Sequence, residues 1–265
     1  MPPPLLLVSL GNPGPRYALT RHNAGHIVLT SLASLIGCST FSPSPYSPGL
    51  STSTTVEFPP LRPPKRRKLS PDDAAPLPPP PPPQPQQAQW ALHQCPTLMN
   101  VSGPSILSTY RAWLASPASI PLTASDSFDP FSSTTTTSNT PPPARPRLVI
   151  LHDSLEDAPG HVRVQPSGAT VSARGHNGIK SLLDSIASST RRAAKGKGPG
   201  GGAKAGGGNT GVDFVRINIG IGRPQSSRDP ERVAGYVLED FRQGELEVLR
   251  GRTTAEVLSV LKGLK

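Results

Sequence analysis

Residues 5–36 read LLLVSLGNPGPRYALTRHNAGHIVLTSLASLI, and the reading of this stretch decides the fold. Leu5 to Leu10 is an unbroken apolar run of strand length, the pattern of a strand covered on both faces. Gly11-Asn12-Pro13-Gly14 closes it with turn residues. Ala24 to Ile36 then carries its apolar residues at helical spacing. A buried strand that feeds a helix through a polar loop is the opening unit of an α/β domain.

The same alternation continues outward. TTVEF (54–58) is a weak strand and QWALHQC (89–95) a stronger one. Ser102 to Ala115 reads as a helix, with Ser102 as its cap and Pro104 in the first turn. RLVILH (147–152) is the strongest strand and delivers Asp153 at its carboxyl end. Ile179 to Ile186 reads as a helix, DFVRINIGIG (213–222) as a strand, and Glu231 to Leu238 and Gly244 to Leu261 as helical pieces. Three stretches break the pattern. Residues 59–87 hold 13 prolines, residues 116–146 are rich in Ser, Thr and Pro, and residues 191–210 are glycine-rich with five Lys/Arg and no acid. Proline and glycine at that density exclude regular elements, so all three are expected to be disordered inserts. Without them about 185 residues remain, the size of one domain. The expected architecture is a single α/β domain over residues 1–265, with a mostly parallel mixed central sheet flanked by helices.

Composition narrows the function. The chain of 265 residues has 35 prolines, 25 glycines, a net charge of +10 and a pI near 10.1. A basic surface suits a polyanionic partner, although basic inserts also serve solubility. PPKRRKL (63–69) is a candidate nuclear address or nucleic-acid patch, or a solvated basic run. Cys38 and Cys95 make neither a disulfide framework nor a metal site, as expected of a reducing compartment. No run of about 18 apolar residues is present, so no membrane-spanning helix is expected. LLLVSL is too short and lacks the basic flank of a leader. The expected location is therefore cytoplasmic, with mitochondrial and nuclear locations as alternatives.

Four polar segments follow strands: GNPGPRYALTRHN (11–23), PTLMNVSG (96–103), HDSLEDAPG (152–160) and ARGHNG (173–178). Loops at the carboxyl ends of strands are where open α/β sheets bind ligands. The first is not a dinucleotide loop, since GNPGPRYA lacks the G-x-G-x-x-G spacing and Pro15 stands where a helix should already run. IGIGRP (219–224) is not a fingerprint either. No phosphate-cradling lysine motif, zinc-ligand spacing or nucleophile elbow occurs. What remains is a histidine with a candidate carboxylate partner and several amides. A histidine oriented by an aspartate can act as general base on water, and amides can bind a polar uncharged substrate or an oxyanion.

These segments resemble the bacterial-type peptidyl-tRNA hydrolase family. The resemblance rests on GNPG (11–14), YALTRHNAG (17–25), LMNVSG (98–103), HDSLEDAPG (152–160), GHNG (175–178) and RINIGIGRP (216–224), in that order. It covers nearly all of the chain outside the three inserts. It implies hydrolysis of the ester between a peptide and the tRNA 3′ ribose, without cofactor or metal. By the resemblance, His22 is the catalytic base, Asp153 stabilises its reactive form, and Asn12 recognises a blocked amino group. Tyr17, Leu98, Asn100 and Asn177 fall on substrate or tRNA contacts, with Leu98 replacing the family's usual Phe and Gln165 standing near a basic tRNA-holding position. The implied partner is peptidyl-tRNA, bound by a monomer. The alternative is a non-catalytic RNA-binding relative. The proline tract at 78–85 could separately engage SH3- or WW-type domains.

Overall fold

The structure is a computed structural model that describes residues 2–60, 85–120, 145–166, 172–195, 212, 214–224 and 229–264. Strand β1 (Leu5–Ser9) is buried along its whole length. It lies in the middle of a seven-stranded sheet of order β2-β3-β4-β1-β5-β7-β6. The other strands are β2 (Ser42–Pro43), β3 (Leu50–Phe58), β4 (Gln86–Gln94), β5 (Arg147–Ser154), β6 (Val162–Pro166) and β7 (Phe214–Gly220). The central four, β4, β1, β5 and β7, run parallel, whereas β3 and β6 join antiparallel at either side and β2 extends the β3 edge. This is the mostly parallel mixed sheet expected from the sequence.

The unbroken apolar run of β1 follows from cover on both faces. Leu5 and Leu7 point to one core with Leu29 and Leu32 of α1 (Ala24–Leu35) and with Val257 and Leu261 of the last helix. Leu6 and Val8 point to the other, with Ile106 and Trp113 of α2 (Ser102–Leu114) and Ile179 and Leu182 of α3 (Asn177–Lys195). The remaining helices are α4 (Pro230–Val237), α5 (Gln243–Val248) and α6 (Thr254–Gly263).

Differences from the sequence reading have local causes. β6 was not foreseen, because VRVQP is short, half-exposed and proline-ended, as edge strands tend to be. α3 runs on to Lys195, into the stretch assigned to the third insert, and Pro117–Ser119 form a 3₁₀ turn inside the second, with Ser119 buried. β4 starts at Gln86, inside the first insert. Most of each insert, with the basic run at 65–68 and the proline tract, lies outside the described residues. The single helix read from Gly244 to Leu261 is α5 and α6 joined by a π turn at Leu249–Thr253. Among the described residues no helix is long and apolar enough to cross a membrane.

Candidate active site

The parallel register sets Ser9 level with Gln94 of β4 and Leu151 of β5, so the loops after these strands open on one edge. The connection after β1 leads to α1 on one face of the sheet and that after its neighbour β4 to α2 on the other, which opens a crevice. The β1 loop crosses it as two 3₁₀ turns, Pro15–Tyr17 and Arg21–Asn23, before α1. Asn23 is buried and staples the loop to itself: its Oδ1 accepts from the Asn12 N–H at 2.8 Å, and its Nδ2 donates to the Asn12 carbonyl at 2.9 Å. Asn12 Oδ1 in turn accepts from the Met99 N–H at 3.0 Å, tying the β1 loop to the β4 loop. Gly25 lets α1 begin against β5, since a Cβ there would lie 2.6 Å from the Leu151 carbonyl oxygen.

This packing brings His22 to Asp153, 131 residues away in sequence. His22 Nδ1 is 2.9 Å from Asp153 Oδ1, and His176 Nε2 is 3.0 Å from the same oxygen. An ionised carboxylate only accepts, so both imidazoles donate. His22 is thereby held as the tautomer whose Nε2 carries a lone pair. His176 is fixed from its other side, where Nδ1 accepts from the Ile179 N–H at 3.3 Å. His152 Nδ1 donates to the Asp153 carbonyl at 2.7 Å, and its ring meets His176 edge-on at 4.6 Å between centroids.

Charge follows from this geometry. Burial disfavours the Asp153 carboxylate, but the His22 and His176 rings overcome it by charge and hydrogen bond and hold the group below the usual carboxylate range. Burial also disfavours imidazolium at His22, yet the Asp153 charge and hydrogen bond raise its pKa above the ordinary value. His152 is pushed down to about 3, first by burial and then by His176, so it is neutral.

His22, Asp153, His176 and Asn177 line one cavity of about 430 Å³, with His152, Arg216 and Asn218 of the sheet and an apolar wall from α4. Among the described residues, His152 Nε2, Arg216 Nε and Nη2 and Asn218 Oδ1 have no partner. The cavity thus offers buried donors and acceptors to a polar substrate. The other residues named from the sequence sit around it. Asn12 lines a cavity of about 440 Å³ on the far side of the β1 loop, with Asn23 and Cys95. Tyr17 is half-buried under Arg16, whose guanidinium lies 5.8 Å from its ring centroid. Leu98 is half-exposed, and Asn100 lines a groove of about 610 Å³ between α2 and α3. His152, Arg216 and Asn218 were missed as site residues. They lie in strands, where apolar period says nothing of what the sheet face meets, and Asn23 and His176 went without a role although both belong to matched motifs. The ligand atoms of His22, Asp153 and His176 lie within 4.8 Å of one another and could hold a metal ion, which would have to displace both N–H protons.

The family model for peptidyl-tRNA hydrolase matches residues 6–57. A peptidyl-tRNA hydrolase of Solidesulfovibrio magneticus is 28% identical over 97% of this chain and 85% of its own length. One of Citrifermentans bemidjiense is 28% identical over 92% of this chain and 82% of its own. Crystallised peptidyl-tRNA hydrolase of Acinetobacter baumannii shares the fold, with a TM-score of 0.56 at 23% identity over 97% of this chain and 88% of that one. The motif order, the assembled site and these relatives agree, and the chain is similar in sequence and in fold to peptidyl-tRNA hydrolases.

Proposed function

We infer that this protein hydrolyses the ester bond of peptidyl-tRNA, with His22 as general base. The observation that carries this reading is the Asp153 carboxylate 2.9 Å from His22 Nδ1, which leaves the Nε2 lone pair for a water. In the step, Nε2 takes a proton from water as its oxygen attacks the ester carbonyl carbon. The resulting imidazolium is stabilised by Asp153 and returns the proton to the departing ribose oxygen as the tetrahedral intermediate collapses. The products are free tRNA and a peptide with a carboxyl terminus. Asn177, which shares the cavity with His22, steadies the oxyanion, while Asn12 and Asn100, on the neighbouring cavity and groove, bind the peptide and the RNA end. The unpartnered polar atoms of His152, Arg216 and Asn218 suit a substrate as rich in donors and acceptors as a nucleotide ester.

The reading places the protein in the cytoplasm, where translation supplies the substrate. The test is peptide release from an N-blocked aminoacyl-tRNA. His22→Ala should lose about 10²–10⁴-fold in kcat, the usual worth of general-base catalysis. A His22→Ala enzyme as fast as wild type refutes the assignment. Wild type that binds tRNA in a salt-sensitive way yet releases no peptide refutes the reaction and leaves an RNA-binding role.

A further inference from the structure

Arg21 precedes the proposed base and is almost entirely buried, at 6% exposure. Its guanidinium makes a two-pronged pair with Glu245, Nη1 to Oε1 at 2.9 Å and Nη2 to Oε2 at 3.0 Å. It also lies over two rings, 4.7 Å from the centroid of Tyr236 and 5.1 Å from that of Phe241. The backbone around it is pinned to the same C-terminal stretch. The Arg21 N–H donates to the Glu239 carbonyl at 2.9 Å, the Phe241 N–H donates to the Leu19 carbonyl at 2.9 Å, and Thr20 bridges Asp240 antiparallel. Glu245 is itself fixed, since Oε2 also accepts from the Arg242 N–H at 2.8 Å at the start of α5.

We propose that Arg21 is the positioning residue of the reaction, locking the His22 turn onto the C-terminal segment 236–245 so that the imidazole stays in register with Asp153. The proposal rests on the assignment of His22 as base. Arg21 and His22 share the short Arg21–Asn23 turn, so a tilt of that turn at Arg21 moves His22 relative to Asp153. Such a displacement is costly, because a shift of about 1 Å in a reacting group costs about 10²-fold in rate. The anchor also reaches the substrate cavity. Tyr236 lies in α4, and α4 supplies Val233, Ala234 and Val237 to the cavity wall beside His22. The base and the wall facing the substrate therefore hang on one guanidinium. Only arginine fits this place, since a planar fork can pair with both oxygens of a carboxylate and stack on rings, which a lysine ammonium cannot.

The test uses Arg21→Lys, which keeps the charge and loses the fork, and Glu245→Gln, which keeps the volume and loses the carboxylate. Arg21→Lys should lower kcat about 10- to 100-fold with KM within about threefold. Glu245→Gln should lower kcat in the same direction, and the double variant should fall short of the product of the two, because both remove one clamp. A second readout needs no turnover: the proton resonance of the His22 Nδ1–H donated to Asp153 should shift or broaden in Arg21→Lys. The proposal is overturned if thermal stability falls while kcat and that resonance stay at wild-type values, or if the two variants multiply. If wild type itself releases no peptide, the proposed reaction fails, while the resonance still decides whether Arg21 positions His22.

Discussion

Asp153→Asn isolates the charge at the site. His22 and His176 donate to the same carboxylate oxygen, at 2.9 and 3.0 Å. The amide oxygen of asparagine can therefore take both bonds, and the scaffold stays while the negative charge goes. A hydrogen bond to a charged group is worth about 1.5–3 kcal/mol, against about 1 for a neutral one, and each 1.36 kcal/mol is tenfold in rate. Exchanging a charged for a neutral bond in the transition state, where His22 is cationic, costs about 0.5–2 kcal/mol, a drop of about 2- to 30-fold in kcat. The pH profile carries a sharper signature. Asp153 raises the His22 pKa against burial, which alone would lower it. In wild type, activity should therefore fall as pH drops through a value above the ordinary imidazole pKa, because the base becomes protonated. Without the carboxylate, burial dominates and the acid limb of kcat/KM should move to lower pH. The relative loss in Asp153→Asn is then greatest at alkaline pH and smaller in acid. The assay is peptide release from N-blocked aminoacyl-tRNA between pH 5 and 9. An unmoved acid limb, or a variant as fast as wild type at pH 8, would refute the claim that Asp153 tunes His22.

Asn12→Asp keeps the acceptor for the Met99 N–H and loses the amide donor; it should leave the melting temperature within a few degrees and weaken the preference for N-blocked over free aminoacyl-tRNA, as competing substrates would show. Gly25→Ala sets a methyl 2.6 Å from the Leu151 carbonyl oxygen, and such overpacking should cost about 1–3 kcal/mol in urea unfolding; an unchanged midpoint would mean that α1 does not sit against β5. Acid should destabilise the fold through buried neutral histidines: burial pushes His93 down to about 4 and, with His176, His152 to about 3. Their folded pKa values lie below the unfolded 6.5, so the unfolded chain binds more protons and stability, complete above pH 6.5, is lost as pH falls toward 4. His93→Gln should flatten that decline, and a flat wild-type profile between pH 6.5 and 4.5 would contradict it.

Much of the fold was legible because burial leaves a period in the sequence. Leu5 to Leu10 could be read as covered on both faces, and Leu29 and Leu32 as one helix stripe, without knowing their neighbours. Edge strands leave a weaker mark, so VRVQP passed unseen. α3 outran its reading because its last turns carry Ser188, Arg191 and Arg192 at the surface, where no apolar stripe is required. The π turn at Leu249–Thr253 preserves the apolar faces on either side and so looks like unbroken helix.

The candidate site divides along the same line. Residue pattern alone located the segments that hold the polar residues, put them after strands and, through motif order, gave their resemblance to one family of hydrolases. It took the folded chain to show that one carboxylate oxygen serves two imidazoles, that the Ile179 N–H fixes the tautomer of His176, and that Asn100 lines the α2/α3 groove while His22 lines the central cavity. The fold also decided that Arg21 finds Glu245, 224 residues away. The physical reason is that local pattern records whether a side chain is covered and in what period. The separation of two groups far apart in the chain is set instead by strand register and helix packing, to a fraction of the hydrogen-bond length on which the chemistry depends.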